Sequence, residues 1–351
     1  MMQKKIRVLV IDDSHFVRTM LTEILTCDDI EVIDTANDPY EAREKIKELN
    51  PDVLTLDVEM PKMNGVTFLK NLMRLRPMPV VMVSTLTEEG APTTLESLEL
   101  GAVDYFAKPK QNLMENLPLY TDQLREKVRV ASKANIVATS VKKHSVGKNI
   151  GKKDIQYRPN ILVAIGASTG GTEALKEVIS NLPADFPPVV ITQHIPPVFS
   201  SSFAKRVDQC SQMRVFEAHD GMKIKQGCVY IAPGDQHLVL KKVNYDLFCQ
   251  LLDTPPVNRH RPAVDVLFDS VAELKGRHAI GCILTGMGND GAKGLLKMKE
   301  AGAITLVQDE KTSVVWGMPR VAYEMGAADK VLPLNKIADQ IIHFSALPKK
   351  A

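Results

Sequence analysis

Residues 161–175 read ILVAIGASTGGTEAL, and this stretch decides the fold of the second half of the chain. Positions 161–165 form an unbroken apolar run, the composition of a strand buried on both faces. Gly166, Gly170 and Gly171 then crowd around Ser168, and 172–181 continues as a helical stretch. A strand passing through a glycine turn into a helix opens a βαβ unit. Downstream the alternation continues: strands are expected at 189–192, 229–232, 279–284 and 304–307, with helices at 200–210 and 290–301. Segments 238–243 and 245–252 read as a β-hairpin inserted into that alternation. The expected class is α/β, doubly wound and mainly parallel.

Toward the N-terminus the same grammar appears in VLVIDDSHFVRTML, residues 8–21. Strands are expected at 7–11, 53–56, 80–83 and 103–106, with a less regular one at 30–35. Val17, Met20, Leu21 and Ile24 recur with the spacing of one helical face. Asp38-Pro39-Tyr40-Glu41 has the form of a helix start, with Asp38 as N-cap, Pro39 at the first helical position and Glu41 closing a capping box. A further helix is expected from about Leu119, after Pro118, into the low 130s. Residues 132–154 mix six lysines with Ser, Gly and Asn and few large apolar residues, the composition of a flexible linker. The division expected is a first domain over 1–122, a helix and linker over 123–157, and a second domain over 158–351.

Length and charge fit that division. A chain of 351 residues is comfortable for two domains. The net charge of +2 comes from interspersed acids and bases, so no nucleic-acid surface is expected. Five cysteines stand singly, as reduced thiols do. No apolar run approaches the roughly 18 residues a membrane span needs, and the first residues lead straight into a strand with no signal-peptide pattern. A cytoplasmic protein without direct membrane insertion is expected.

In the first domain, chemistry gathers at the carboxyl ends of expected strands, where parallel sheets bind ligands. Asp12 and Asp13 end the first strand, Asp57 the third and Ser84 the fourth, and Lys108 follows the fifth. Each alone reads as an ordinary cap or a solvated lysine; the ordered set does not. Three clustered carboxylates need a cation, and hard oxygen ligands without imidazole or thiolate suit Mg²⁺. Asp57 is placed to act as nucleophile on a phosphoryl donor, with Lys108 and Ser84 contacting the phosphoryl oxygens.

In the second domain, Gly166-Ala167-Ser168-Thr169-Gly170-Gly171 admits three readings. It lacks the spacing of a dinucleotide loop, it could be a plain tight turn, or it is a nucleophile elbow that exposes Ser168 and aims the next backbone N–H, that of Thr169, at an oxyanion. A serine nucleophile needs a base, and His194 ends the next strand on the same rim. Asp290, in the loop leaving 279–284, is the candidate to orient it. His219, His237 and His278 read as structural, and His260 as a candidate substrate contact. Asp265 and Asp269 read as surface or capping residues of a helix-like run. The chain order Ser, His, Asp differs from that of the α/β-hydrolases, which argues against that fold but not against the chemistry.

VLVIDDS, LTLDVEMPKMNG, VVMVST and DYFAKP resemble the receiver domain of bacterial response regulators. GASTGGTEAL, ITQHIPP, IAPGDQHL, RPAVDVLF, ILTGMGNDGAKGL and QDEKTSVVWGMP resemble the chemotaxis protein-glutamate methylesterases of the CheB type. The two resemblances together cover nearly the whole chain. They imply a flavodoxin-like first domain, phosphotransfer from a chemotaxis histidine kinase to Asp57, and Mg²⁺ held by Asp12, Asp13 and Asp57 with help from the Glu59 backbone. Tyr105 matches the receiver family's switch aromatic; a half-buried aromatic at a strand end is the plainer reading. They further imply Ser168 as nucleophile, His194 as base, Asp290 as orienting acid and the Met287 N–H as oxyanion donor, with no cofactor for the hydrolase. The implied substrates are glutamyl γ-methyl esters, and glutamines, on methyl-accepting chemotaxis receptors, with phosphorylation relieving inhibition. A receiver joined to a DNA-binding output predicts a short basic module instead, and an inactive scaffold predicts loss of the three hydrolase residues.

Overall fold

The computed structural model describes residues 4–84, 90–108, 113–136 and 155–347, with side chains of 113–119 left aside. Most of the expected linker, 137–154, lies outside the described residues. The chain divides into two compact units, Met1–Lys142 and Lys143–Ala351.

The first unit alternates β1 (Ile6–Ile11), α1 (His15–Leu25), β2 (Ile30–Ala36), α2 (Pro39–Leu49), β3 (Val53–Asp57), α3 (Gly65–Leu75), β4 (Val80–Ser84), α4 (Ala91–Glu99), β5 (Asp104–Ala107) and α5 (Leu113–Ala131). Its strands pair in parallel in the order β2-β1-β3-β4-β5. β3 and β4 are buried at every position, which is why their sequences are runs rather than alternations. Helix starts follow local chemistry: Ser14 accepts from the Val17 N–H, Asp38 from Tyr40 and Glu41, and Asn64 from Thr67. Glu41 does close a box, but on the Asn37 N–H rather than that of Asp38. α5 begins six residues before the expected Leu119, with Pro118 inside it. A proline past the first turn costs about 3 kcal/mol, which the packing of fully buried Leu124, Val128 and Ala131 offsets.

The second unit runs β6 (Leu162–Ala167), α6 (Gly171–Ser180), β7 (Val189–Gln193), α7 (Pro197–Cys210), β8 (Arg214–Glu217), β9 (Cys228–Ile231), β10 (His237–Val243), β11 (Asp246–Leu252), α8 (Val264–Lys275), β12 (Ala279–Ile283), α9 (Ala292–Glu300), β13 (Ile304–Gln308), α10 (Met318–Glu324), β14 (Lys330–Leu332) and α11 (Leu334–Ser345). Seven of its strands form a parallel sheet ordered β14-β13-β12-β6-β7-β9-β8. β10 and β11 make a separate antiparallel hairpin. β8 and β14, absent from the sequence reading, are short outer strands with exposed positions.

In both sheets the chain starts near the middle and builds outward in two directions. The carboxyl ends of β1 and β3 meet at one such switch point; those of β6, β7 and β12 meet at the other.

Candidate active site

In the first unit the strand ends gather a carboxylate cluster. Asp12 follows β1, Asp57 ends β3, and both are almost fully buried, while neighbouring Asp13 is exposed. Ligand oxygens from the three lie within 4.8 Å of one another. Lys108 Nζ sits 2.9 Å from Asp12 Oδ2 and 2.8 Å from Asp57 Oδ2. Burial pushes the Asp57 carboxyl up to about 6; the Lys108 hydrogen bond opposes this and the charge of Asp12 adds to it. Burial alone would lower the Lys108 ammonium's pKa, yet its two carboxylate partners outweigh that and raise it. Asp12 Oδ2 lies against that ammonium and, among the described residues, accepts no well-aligned hydrogen bond. A hard donor set with an under-satisfied buried oxygen fits a divalent cation.

The cluster opens on a cleft of about 720 Å³, lined also by Glu59, Asn64 and Thr93. The Glu59 N–H donates to Asp57 Oδ1 at 3.3 Å. Ser84 ends β4 and accepts from the Thr94 hydroxyl at 3.4 Å. Gly65 is required beneath this site: a Cβ there would stand 1.9 Å from the Asp57 carbonyl oxygen. Tyr105 is half-buried on β5, with Lys127 Nζ 5.3 Å from its ring centre.

The second unit turns sharply at Ser168, directly after β6. The turn passes through Gly170 at φ +74°, and a Cβ at Gly171 would meet Gln193 Oε1 at 2.1 Å. The Ser168 N–H donates to the Thr285 carbonyl at 3.0 Å, which joins the turn to the loop after β12. Gln193, the last residue of β7, donates from Nε2 to the carbonyls of Ser168 and His194, each at 3.0 Å. Next to it, His194 Nδ1 lies 3.1 Å from Ser168 Oγ, and Nε2 lies 2.8 Å from Asp290 Oδ2.

An ionised carboxylate only accepts hydrogen bonds, so Nε2 carries the imidazole proton and Nδ1 accepts from the serine hydroxyl. The ring is thus presented the opposite way round from the chymotrypsin arrangement, in which Nε2 meets the serine. Burial would raise the Asp290 pKa. Hydrogen bonds from His194, Asn258 and the Val264 N–H outweigh it and hold the group at about 2. His260 stacks on His194, with ring centres 3.6 Å apart and planes 12° from parallel. Gly286 packs against Ser168, since a Cβ there would stand 2.8 Å from that serine's Cβ; Met287 is the next residue along. Thr169 follows Ser168 in the turn, half-buried.

Residues 163–341 match the CheB methylesterase family, and residues 8–117 match the response regulator receiver domain. A Saccharophagus degradans protein described as protein-glutamate methylesterase/protein-glutamine glutaminase 2 is 55% identical over 342 residues, 97% of this chain and 98% of that protein. A Vibrio vulnificus protein of the same description is 54% identical over 340 residues, 96% of this chain and 97% of its own length. The crystal structure of the Thermotoga maritima CheB methylesterase catalytic domain matches with a TM-score of 0.51 and 47% identity, covering 52% of this chain and 97% of that one.

The chain belongs to the CheB methylesterase family.

Its fold is the expected receiver domain with a five-stranded parallel sheet, followed by a mainly parallel α/β methylesterase domain. Within the CheB methylesterase unit, Ser168, His194 and Asp290 come together from the loops that follow β6, β7 and β12. Buried Ser200 and His237 are tied elsewhere: Ser200 Oγ donates to Glu217, and His237 Nδ1 accepts from the Ala263 N–H.

Of the two readings of Asp265, surface or capping, the structure bears out the second: the residue is buried, 7% exposed, and caps a helix start. Its Oδ1 accepts from the Gly294 N–H at 2.7 Å and its Oδ2 from Asn258 at 2.7 Å, directly beside Asp290. The helix that carries it packs its first turn against the α9 start, so a polar position faces inward. Asp269, one turn on, is half-exposed and pairs with Lys297 at 2.6 Å. Gln193 and Asn258 were missed altogether.

Proposed function

We propose that Ser168 is the nucleophile, His194 the general base and Asp290 the orienting acid of the esterase. The hydrogen-bonded chain from Ser168 Oγ through the imidazole to Asp290 supports this reading. The enzyme is a protein-glutamate methylesterase/protein-glutamine glutaminase with a response-regulator receiver. On a glutamyl γ-methyl ester, Ser168 attacks the carbonyl and its proton passes to His194 Nδ1. The Thr169 and Met287 N–H groups hold the oxyanion, a contribution of about 3–4 kcal/mol per donor in comparable sites. Nδ1 then protonates the departing methanol. Water, deprotonated by the same nitrogen, cleaves the acyl-enzyme to release a glutamate carboxylate. From a glutamine, ammonia leaves in place of methanol.

The receiver regulates this chemistry through an aspartyl phosphate on Asp57. Asp12, Asp13, Asp57 and the Glu59 backbone would hold Mg²⁺, which supplies charge neutralisation for the incoming phosphoryl group. Lys108 and Ser84 contact the phosphoryl oxygens, and Tyr105 reports the change as the switch aromatic. Phosphorylation replaces the single carboxylate charge of Asp57 with a phosphoryl group carrying about two, a net gain of roughly one negative charge, and relieves inhibition of the esterase. The phosphodonor is the chemotaxis histidine kinase, and the substrates are methyl-accepting chemotaxis receptors reached from the cytoplasm. No helix among the described residues is long and apolar enough to cross a membrane. The domains follow the division 1–122, 123–157 and 158–351.

Methanol release from methylated receptor membranes tests the assignment. Ser168→Ala is expected to lose activity by on the order of 10⁵-fold or more. Near-normal release would remove Ser168 from the reaction.

A further inference from the structure

Asp290 accepts four hydrogen bonds. Oδ2 takes His194 Nε2 and the Val264 N–H, at 2.8 and 2.6 Å. Oδ1 takes Asn258 Nδ2 and the Asp265 N–H, at 2.8 and 3.2 Å. Val264 and Asp265 are the first two residues of α8, whose N-cap residue, Ala263, makes no side-chain cap bond. Asp290 therefore caps α8 from a different part of the chain. Asp265 returns the arrangement, because Gly294 is in the first turn of α9, the helix that begins just after Asp290.

This reciprocal capping brings two buried carboxylates side by side, which like charges oppose. Asn258 bridges them: Nδ2 donates to Asp265 Oδ2 at 2.7 Å and to Asp290 Oδ1 at 2.8 Å. A primary amide has two N–H donors and so can serve both. Asn258 can reach because its backbone is left-handed, φ +51°, as is that of Arg259, φ +66°. The turn is closed by mutual backbone bonds between Val257 and His260. It therefore delivers the bridging amide and, two residues on, the His260 ring that stacks on His194.

We propose that Asn258 is a positioning residue of the esterase, its amide holding Asp265 and Asp290 together so that Asp290 stays aimed at His194. This rests on the Ser168–His194–Asp290 reading. Without the amide, the two carboxylates share one buried site with no donor between them, and the pair retains a proton at higher pH. The charged and titratable groups facing the pair are His194 and His260 on one side, with Asp269 of α8 and Lys297 of α9 behind Asp265. Burial and the charge of Asp290 already raise the Asp265 pKa, against the bonds from Gly294 and Asn258.

Asn258→Gly in the full chain removes the amide and keeps the left-handed backbone unstrained. On methylated receptor membranes we expect kcat at neutral pH to fall by roughly tenfold or more, with KM within about twofold. The acid limb of the kcat/KM profile should move up by about one pH unit. Adding Asp265→Asn, which removes one charge and keeps an acceptor for Gly294, should return the limb toward its original position. A limb that does not move, or a rate lowered equally at every pH, overturns the proposal. If Asn258→Gly does not fold, Asn258→Asp gives the same reading: a third carboxylate should move the limb further up, and an unmoved limb again overturns it. Ser168→Ala separates the two levels. If it stays active, the triad reading itself fails. If it is inactive while Asn258→Gly matches the unaltered enzyme, only the bridge is wrong.

Discussion

The receiver and the esterase each place buried aspartates at the switch point of a parallel sheet, and the two clusters behave in opposite ways. Burial is the largest influence on both Asp57 and Asp290, and in both it pushes the pKa up. Asp57 ends at about 6 and Asp290 at about 2. What differs is the supply of donors. Asp57 has one ammonium, shared with Asp12, and one long backbone bond, and it opens on a cleft. Asp290 has an imidazole, an amide and two N–H groups of a helix start. The receiver leaves its charge unfinished, as the proposed cation and phosphoryl group require. The esterase completes its charge from its own chain, as an orienting acid proposed to stay ionised throughout turnover requires.

The sharpest way to break this comparison is Asp290→Asn. An amide can turn its NH₂ toward the imidazole and favour the wrong tautomer, so kcat for methanol release should fall by on the order of 10⁴-fold. A loss under tenfold would mean that the ionised acid is not needed. Deleting residues 1–150 should raise the unstimulated rate by roughly the factor that phosphorylation provides in the full chain. A truncated enzyme no faster than the full chain would leave the receiver without an inhibitory role. Asp57→Asn should bring the ratio of acetyl-phosphate-stimulated to unstimulated rate down to about one. Persisting stimulation would place the phosphoryl acceptor elsewhere.

The smallest effect is on stability. In metal-free buffer the folded receiver binds more protons at Asp57 than the unfolded chain does between the ordinary aspartate pKa and about 6. Its stability should therefore fall as pH rises through that window, lowering the receiver's thermal midpoint by a few degrees, roughly. Asp290 has the reverse sign: its contribution is present above the ordinary aspartate pKa and is lost as pH falls toward about 2. Millimolar Mg²⁺ should flatten the receiver's dependence, because a cation that binds the carboxylate form competes with the proton. An unchanged slope would mean that the cation does not sit on Asp57.

The two sites were not equally legible. Asp12, Asp57, Ser84 and Lys108 lie at or just after strand ends, and strand ends are visible as the edges of apolar runs such as 7–11 and 53–56. Ser168 and His194 share that property. Asp290 lies several residues beyond β12 and was reached through a glycine-rich loop, a less direct signal. The support behind it was not visible. Asp265 falls in a helical run where periodicity alone cannot say that one polar position faces another helix start. Asn258 needed two consecutive left-handed residues, neither of them glycine, which no hydrophobic pattern encodes. The orientation of the His194 ring depends on the approach of three loops and has no counterpart in residue spacing.

The crossed caps of α8 and α9 have a consequence for biogenesis. Each helix start is completed by an aspartate belonging to the other, so neither is finished until both have docked. A chain with either helix still loose lacks donors that hold Asp290, and with them the anchored partner of the His194 imidazole. On the proposed roles, helix docking and esterase competence would arrive together.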